Sequence, residues 1–392
     1  MSAAVVAHSG GPTTVLNASL FGIWEEARQH PEITALYGAR FGIAGIINDQ
    51  FVDLFAQPTA LMESVSRSPA SALGTSRREV ESADLEQVLH VLRRHNVRYL
   101  FYTGGNGSMG TASQIDKLAR DSGYELFVIG VPKTIDNDLE ETDHSPGYAS
   151  AARFFASAVR DISMDNAALP GQVEFIEILG RNAGWLAAAT SLARKTPDDA
   201  PHLIYLPERP LSLDDLCSAV ENVFRRVNRC VVTVCEGQLD EKGEPFGADV
   251  RSGSRGSLAM NLAHRLAILV SQKLGVRTRS EKPGLLGRSC REFVSGADWR
   301  EAREVGREAV RLAVNGSAGK MVTLARLEKT PYRAGFGAVP LESVAYRERL
   351  FPLKWICESG TGIEPEFHAY LQPLIGDITK YDSLLDFPPA HR

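Results

Sequence analysis

Long apolar runs are missing from this chain: none approaches the ~20 residues needed to span a bilayer. No basic segment leading into an apolar stretch of signal-peptide length opens the sequence. Cysteine is scarce. The five cysteines include no C-x-x-C pair, and Cys230 and Cys235 share one apolar run with four residues between them. That argues against a disulfide framework or a thiolate metal site, and for reduced core thiols in a cytoplasmic protein. Excess charge of one sign is also lacking. A formal net charge of -5 argues against a nucleic-acid partner. The G-x-x-x-x-G-K-[ST] loop of P-loop kinases is absent as well.

What is present is an alternation of apolar runs and amphipathic stretches over 392 residues, enough for two or three lobes. Strands are expected at residues 3–8, 40–47, 99–103, 126–131, 173–179, 202–206, 229–235, 276–280 and 320–326. Helices are expected at 15–28, 85–94, from the glycines after 103 to about 120, 150–165, up to 193, 213–227, 257–273 and 298–315. Residues 240–254 are glycine-rich and charged and are expected to form a loop; the tail from 339 reads as a short-helix extension. Strands alternating with helices favour mostly parallel sheets.

Chemistry gathers at the ends of the strands, where ligands collect in open α/β sheets. The most informative stretch follows residues 126–131 and reads Pro132-Lys133-Thr134-Ile135-Asp136-Asn137-Asp138. It offers two carboxylates, a hydroxyl and a cation. One carboxylate can take a proton from an attacking hydroxyl, its neighbour can help hold a metal, and the lysine can meet phosphate oxygens. Two strand–glycine–helix junctions, Gly10-Gly11 and Gly104-Gly105-Asn106-Gly107-Ser108, can bring backbone N–H groups to a phosphate. Either can also be a tight turn that simply needs glycine. Gly105, Gly107 and Gly110 form a lone G-x-G-x-x-G, but no acid follows the next strand as a dinucleotide site requires. Arg77 and Arg181 each follow a turn where an arginine can bind an anion or make a surface ion pair.

In order, Gly10-Gly11, Gly104–Ser108, Pro132–Asp138, Gly180-Arg181 and Glu236-Gly237 resemble the phosphofructokinase family over about three quarters of the chain. The resemblance implies two Rossmann-like three-layer lobes with mostly parallel sheets and a cleft between them. Residues 1–147, completed by about 287–338, would bind the donor. Residues 148–286, completed by about 339–392, would bind the sugar phosphate. Asp136 would take the proton from the 1-hydroxyl of fructose 6-phosphate, with Lys133 and Thr134 beside it. Asp138 and Asn106 would organise Mg2+. Gly10, Gly11, Arg77, Gly105, Asn106, Gly107 and Ser108 would face the donor. Leu179, Gly180, Arg181 and Glu236 would hold the sugar. Arg279 and Arg288 would bind its 6-phosphate, one of them from a neighbouring subunit of a homodimer or homotetramer.

The pattern departs from the family in two places. ATP-using members usually read Gly-Gly-Asp-Gly at the second turn. Pyrophosphate-using members commonly place Asp where Gly107 stands and pair it with the lysine matching Lys133. Glycine at 107 leaves room for the α-phosphate of a nucleotide, so ATP is the favoured donor and pyrophosphate the alternative. In the sugar site, Gln172 stands where many bacterial members have a second phosphate-binding arginine, and Leu285 where many have histidine or tyrosine. The missing loop acids leave a non-catalytic sugar-phosphate sensor or regulatory subunit as a competing reading, opposed by Asp136 and Asp138. A nicotinamide-dependent oxidoreductase, on the three glycines, is a third.

Overall fold

Period-two alternation sorts the central strands' side chains onto two faces, and each face meets helices. In the computed structural model, which describes residues 2–246, 261–329, 331–382 and 384, strands β1 (Ser2–His8), β2 (Ile33–Ala39), β3 (Phe51–Asp53), β4 (Val97–Gly104) and β5 (Phe127–Pro132) belong to one seven-stranded sheet. Val5, Ala7, Leu100 and Tyr102 pack on one side with the helices Ser82–Arg94 and Asn106–Asp121. Ala4, Val6, Phe101 and Val131 pack on the other with Leu16–Ala27 and Gly296–Val314. Those last two helices are also tied by Glu25 to Arg303 and by Glu26 to Arg307 and Arg311.

The second sheet holds β6 (Gln172–Ile178), β7 (Leu203–Tyr205), β8 (Cys230–Cys235) and β9 (Arg277–Glu281), all parallel, in the order β7-β8-β6-β9. The chain then returns to the first sheet through β10 (Lys320–Lys329), parallel to β5, and β11 (Tyr332–Pro340), antiparallel to β10. The first sheet therefore runs β11-β10-β5-β4-β1-β2-β3. This is an α/β architecture of two mostly parallel, helix-covered sheets. No described helix is long and apolar enough to cross a membrane.

One expected strand is overturned. Residues 40–47 are not extended: the strand is β2, just upstream, and Ile43–Ile47 is a short helix. Gly42, at φ +62°, turns the chain there, and Ile43 and Ile46 bury on one helical face. β11 has no counterpart among the expected strands, because its exposed, glycine-bearing pattern lacks a strand's apolar signal. Most of the expected 240–254 loop, and the start of the expected 257–273 helix, lie outside the described residues; the helix is seen as Leu262–Leu274.

The tail is the short-helix extension the sequence implies, and it is not peripheral. Phe351, Phe367, Leu371 and Leu374 are fully buried in one core with Phe155 and Trp185. The Trp185 ring lies within 5.1 to 6.3 Å of Phe351, Trp355, Phe367 and Tyr370, centroid to centroid, distances at which aromatic pairs attract.

Candidate active site

The carboxyl ends of β1, β4, β5, β6 and β8 open on one cleft of about 670 Å3. Strand β5, between β4 and β10, delivers Lys133 into it. The Lys133 N–H donates to Gly104 O at 3.0 Å and its buried ammonium donates to Gly11 O at 2.7 Å, so one residue touches both glycine turns. Burial lowers its pKa to about 8, against the pull of Asp136 and Asp138.

Asn137 adopts φ +56°, the left-handed conformation that asparagine tolerates best after glycine. Both flanking carboxylates line the cleft, while Asn137 is fully buried and makes its contacts behind it. Burial, then Asp138 and Glu236, push the Asp136 carboxyl up to about 7; Arg181 and Lys133 oppose them. Burial raises Asp138 too, with the Thr134 hydroxyl opposing and Glu348 adding to the rise. Thr134 Oγ1 also accepts the Asp136 N–H at 3.1 Å.

The two turns have different openness. At Gly11 an added Cβ would lie 2.8 Å from Arg288 Nη1 and 3.5 Å from Arg77 Nη2, so two guanidinium groups crowd that turn. At Gly107 an added Cβ would meet nothing within 4 Å. The helix Asn106–Asp121 starts there, and its first-turn N–H groups have no intrahelical acceptor. Thr111 and Gln114, at i+4 and i+7 from Gly107, also line the cleft, which thus runs roughly 10 Å along this helix.

On the sugar side Leu179, Arg181 and Glu236 line the cleft. The Glu236 N–H donates to Ile178 O at 2.8 Å, and its carboxylate accepts from the Arg181 N–H at 3.4 Å. Arg288 joins them from the turn Gly284–Arg288.

Of the residues singled out from sequence, Gly10, Gly11, Arg77, Gly105, Asn106, Gly107, Ser108, Lys133, Thr134, Asp136, Asp138, Leu179, Arg181, Glu236 and Arg288 line this one cleft. Gly180 and Arg279 do not. Gly180 turns the backbone at φ +145°. Arg279 is exposed on the edge strand β9, registered against Glu174. Gln172 is buried at the far end of β6 from the cleft, both amide atoms without a hydrogen-bond partner, while Leu285 lines the cleft mouth at 61% exposure.

A hard divalent cation fits at Asp138, whose Oδ1 is buried and makes no hydrogen bond. Asn106 is less suited as a ligand: its Nδ2 donates to Asp138 Oδ2 at 3.2 Å and its Oδ1 accepts the Gly107 N–H. Among the described residues no three His, Cys, Asp or Glu side chains form a metal cluster. Magnesium typically takes one or two carboxylates plus substrate phosphates, and Asp138 is one such carboxylate.

Sequence reasoning missed Tyr346 and Glu348, which enter the cleft from the tail. The Tyr346 N–H donates to Asn106 O at 3.3 Å, and the Asn182 amide donates to Glu348 at 2.8 Å. It also missed Val80, Thr111 and Gln114; the last two were available from the helical spacing after Gly107. Arg78, which the sequence pairs with Arg77 as an anion clamp, lines the cleft too.

Comparison with known proteins gives the family. The phosphofructokinase family model matches residues 3–313. The pyrophosphate–fructose 6-phosphate 1-phosphotransferase of Rhodospirillum rubrum is 40% identical, covering 95% of this chain and 94% of its own length. Its namesake from Xanthomonas campestris is 39% identical over 94% and 90%. The crystal structure of the pyrophosphate-dependent phosphofructokinase of Marinobacter aquaeolei superimposes with a TM-score of 0.87 at 33% identity, covering 99% of this chain and 94% of that one. The chain belongs to the phosphofructokinase family.

Proposed function

We propose that this protein transfers a phosphoryl group to the 1-hydroxyl of fructose 6-phosphate, giving fructose 1,6-bisphosphate, with pyrophosphate as donor. The observation that carries the transfer is the half-buried Asp136 carboxyl in a cleft shared with Lys133, Arg77, Arg181, Arg288 and two glycine turns. A primary alcohol is a weak nucleophile at neutral pH, and a carboxylate with a pKa near 7 is well matched to remove its proton. The hydroxyl oxygen bonds to the terminal phosphorus as its proton passes to Asp136. The bridging P–O bond breaks and phosphate leaves. Arg181 and Glu236 orient the sugar. Lys133, the arginines and the turn N–H groups balance charge spreading over the phosphoryl oxygens. Magnesium, held through Asp138, would neutralise donor charge.

Pyrophosphate replaces ATP, which position 107 favours on sequence grounds, because the relatives from R. rubrum, X. campestris and M. aquaeolei are named for it. One observation keeps ATP as a second reading: the space at Gly107 and the cleft that continues past it to Thr111 and Gln114. A grid of pyrophosphate and ATP against several sugar phosphates tests both. Product with fructose 6-phosphate supports the transfer, and the faster donor decides between the readings. No product with either donor removes the proposal and favours a binding-only role.

A further inference from the structure

The left-handed Asn137 needs a backbone held from outside. Its two neighbours are carboxylates that repel one another, and no strand or helix pairing fixes residues 136–138. Part of the restraint is local, the Ser145 N–H donating to Asn137 Oδ1 at 3.1 Å, and part comes from 212 positions away. Arg349 Nε and Nη2 both donate to Asn137 O, at 3.2 and 2.9 Å. Its Nη1 donates to Asp143 O at 2.8 Å and also to Thr142 O. Its own N–H donates to Asp138 O at 2.8 Å. One residue therefore satisfies the carbonyls of both Asn137 and Asp138. Its guanidinium also lies 4.6 Å from the Trp185 ring centroid, and its carbonyl accepts the Trp185 indole N–H at 3.1 Å. Trp185 opens the helix that follows the Arg181 turn. Arg349 so ties the carboxylate loop to the sugar-side turn. Tyr370 supports the same loop: its hydroxyl accepts from Asn137 Nδ2 at 3.3 Å and donates to Asp143 O at 2.7 Å.

We propose that Arg349 is a positioning residue that holds the Asp136–Asp138 pair in its reacting geometry, with Tyr370 as its auxiliary. Arg349 does not line the cleft, so it acts through the loop's backbone and not on substrate. The planar guanidinium fork is well shaped for this role. Two of its nitrogens converge on one carbonyl and the third spans two more, a pattern a lysine cannot reproduce. The proposal rests on the phosphoryl-transfer reading of the cleft.

The test is Arg349→Ala, with Arg349→Lys beside it, assayed for kcat and sugar KM. Loss of about 1 Å of registration can cost about 10²-fold. Arg349→Ala should therefore lower kcat by roughly that factor, with sugar KM changed less than about threefold. Added guanidinium, for which the truncated side chain leaves room, should restore part of kcat, and the lysine variant should fall between. A folded Arg349→Ala with wild-type kcat overturns the proposal, as does a kcat loss that only follows the loss of folded protein and ignores guanidinium. If the arginine variants do not fold, Tyr370→Phe removes a single oxygen. It should lower kcat several-fold with sugar KM within about threefold; an unchanged kcat overturns the proposal. A wild type inert with every donor would instead sink the functional reading, whereas an active wild type with indifferent variants sinks only the positioning role.

Discussion

The carboxylate loop and the edge strand β9 carry opposite charges and stand in opposite relation to the cleft. In the loop, Lys133, Asp136 and Asp138 line the cavity, and the ammonium reaches one glycine turn while the backbone reaches the other. On β9, Arg277 and Arg279 face solvent at the margin of the second sheet. The groups suited to phosphoryl transfer are therefore assembled within one chain. Of the two arginines expected at the sugar's 6-phosphate, Arg288 lies in the cleft against the donor-side turn at Gly11, beside Arg77, and Arg279 lies outside the cleft. Chemistry that needs tight registration is built on strand ends, whereas the exposed edge strand contributes nothing to this chain's cleft.

Removing the base should do the most to break this contrast. Asp136→Asn should lower kcat by about 10² or more while leaving sugar binding within a few-fold; titration calorimetry beside the turnover assay checks both. Gly107→Asp should fold normally, since its Cβ meets nothing, and should shift the pyrophosphate-to-ATP ratio of kcat/KM at least about tenfold toward pyrophosphate, by repulsion of a nucleotide's α-phosphate. An unchanged ratio would mean position 107 does not gate the donor.

The pH profile sharpens the buried half. Asp136 must be ionised to act as base, so kcat/KM should fall about tenfold per unit below about 7. With Lys133 in its proposed role as a cation, activity should fall again above about 8. Arg279→Ala probes the exposed half: if Arg279 reaches the cleft of a second copy of the chain, sugar KM should rise roughly tenfold, the value of one charge-assisted contact, with kcat nearly unchanged. No change in KM would remove Arg279 from the site.

The smallest effect concerns the support behind the loop. His144 sits between Asp143 and Glu301, at 2.8 and 2.7 Å. Burial opposes its charge, but the Glu301 and Asp143 carboxylates outweigh burial and raise its pKa from 6.5 to about 9. A raised folded-state pKa gives stability that is complete below 6.5 and lost as pH rises through about 9. Tm should fall by about 2–4 °C across that window, and His144→Gln should flatten the dependence in a thermal melt.

The legible part of the site is the part written locally. The order strand, glycine turn, helix at Gly10 and Gly105, and the sequence from Lys133 to Asp138, put backbone and side chains together within a few residues, so they can be read without coordinates. Arg349, Tyr346 and Glu348 cannot, because their partners lie some 160 to 240 positions away and their own neighbourhood looks like an ordinary charged surface segment. In the fold, the apolar runs at β1, β4 and β8 are plain strand signals. The turn at Gly42 misleads because a short apolar stretch does not distinguish a strand from a helical turn, and β11 is hidden by its exposure and glycines.

In the proposed reaction Asp136 receives the sugar's 1-hydroxyl proton while the glycine turns hold the donor. A crystal structure with fructose 6-phosphate and a non-cleavable pyrophosphate analogue tests it most directly. The 1-hydroxyl oxygen should lie within about 2.6–3.2 Å of an Asp136 carboxylate oxygen, with the analogue's phosphates against Gly10, Gly11 and Gly107. A 1-hydroxyl turned away from Asp136, or phosphates bound elsewhere in the cleft, would contradict the account.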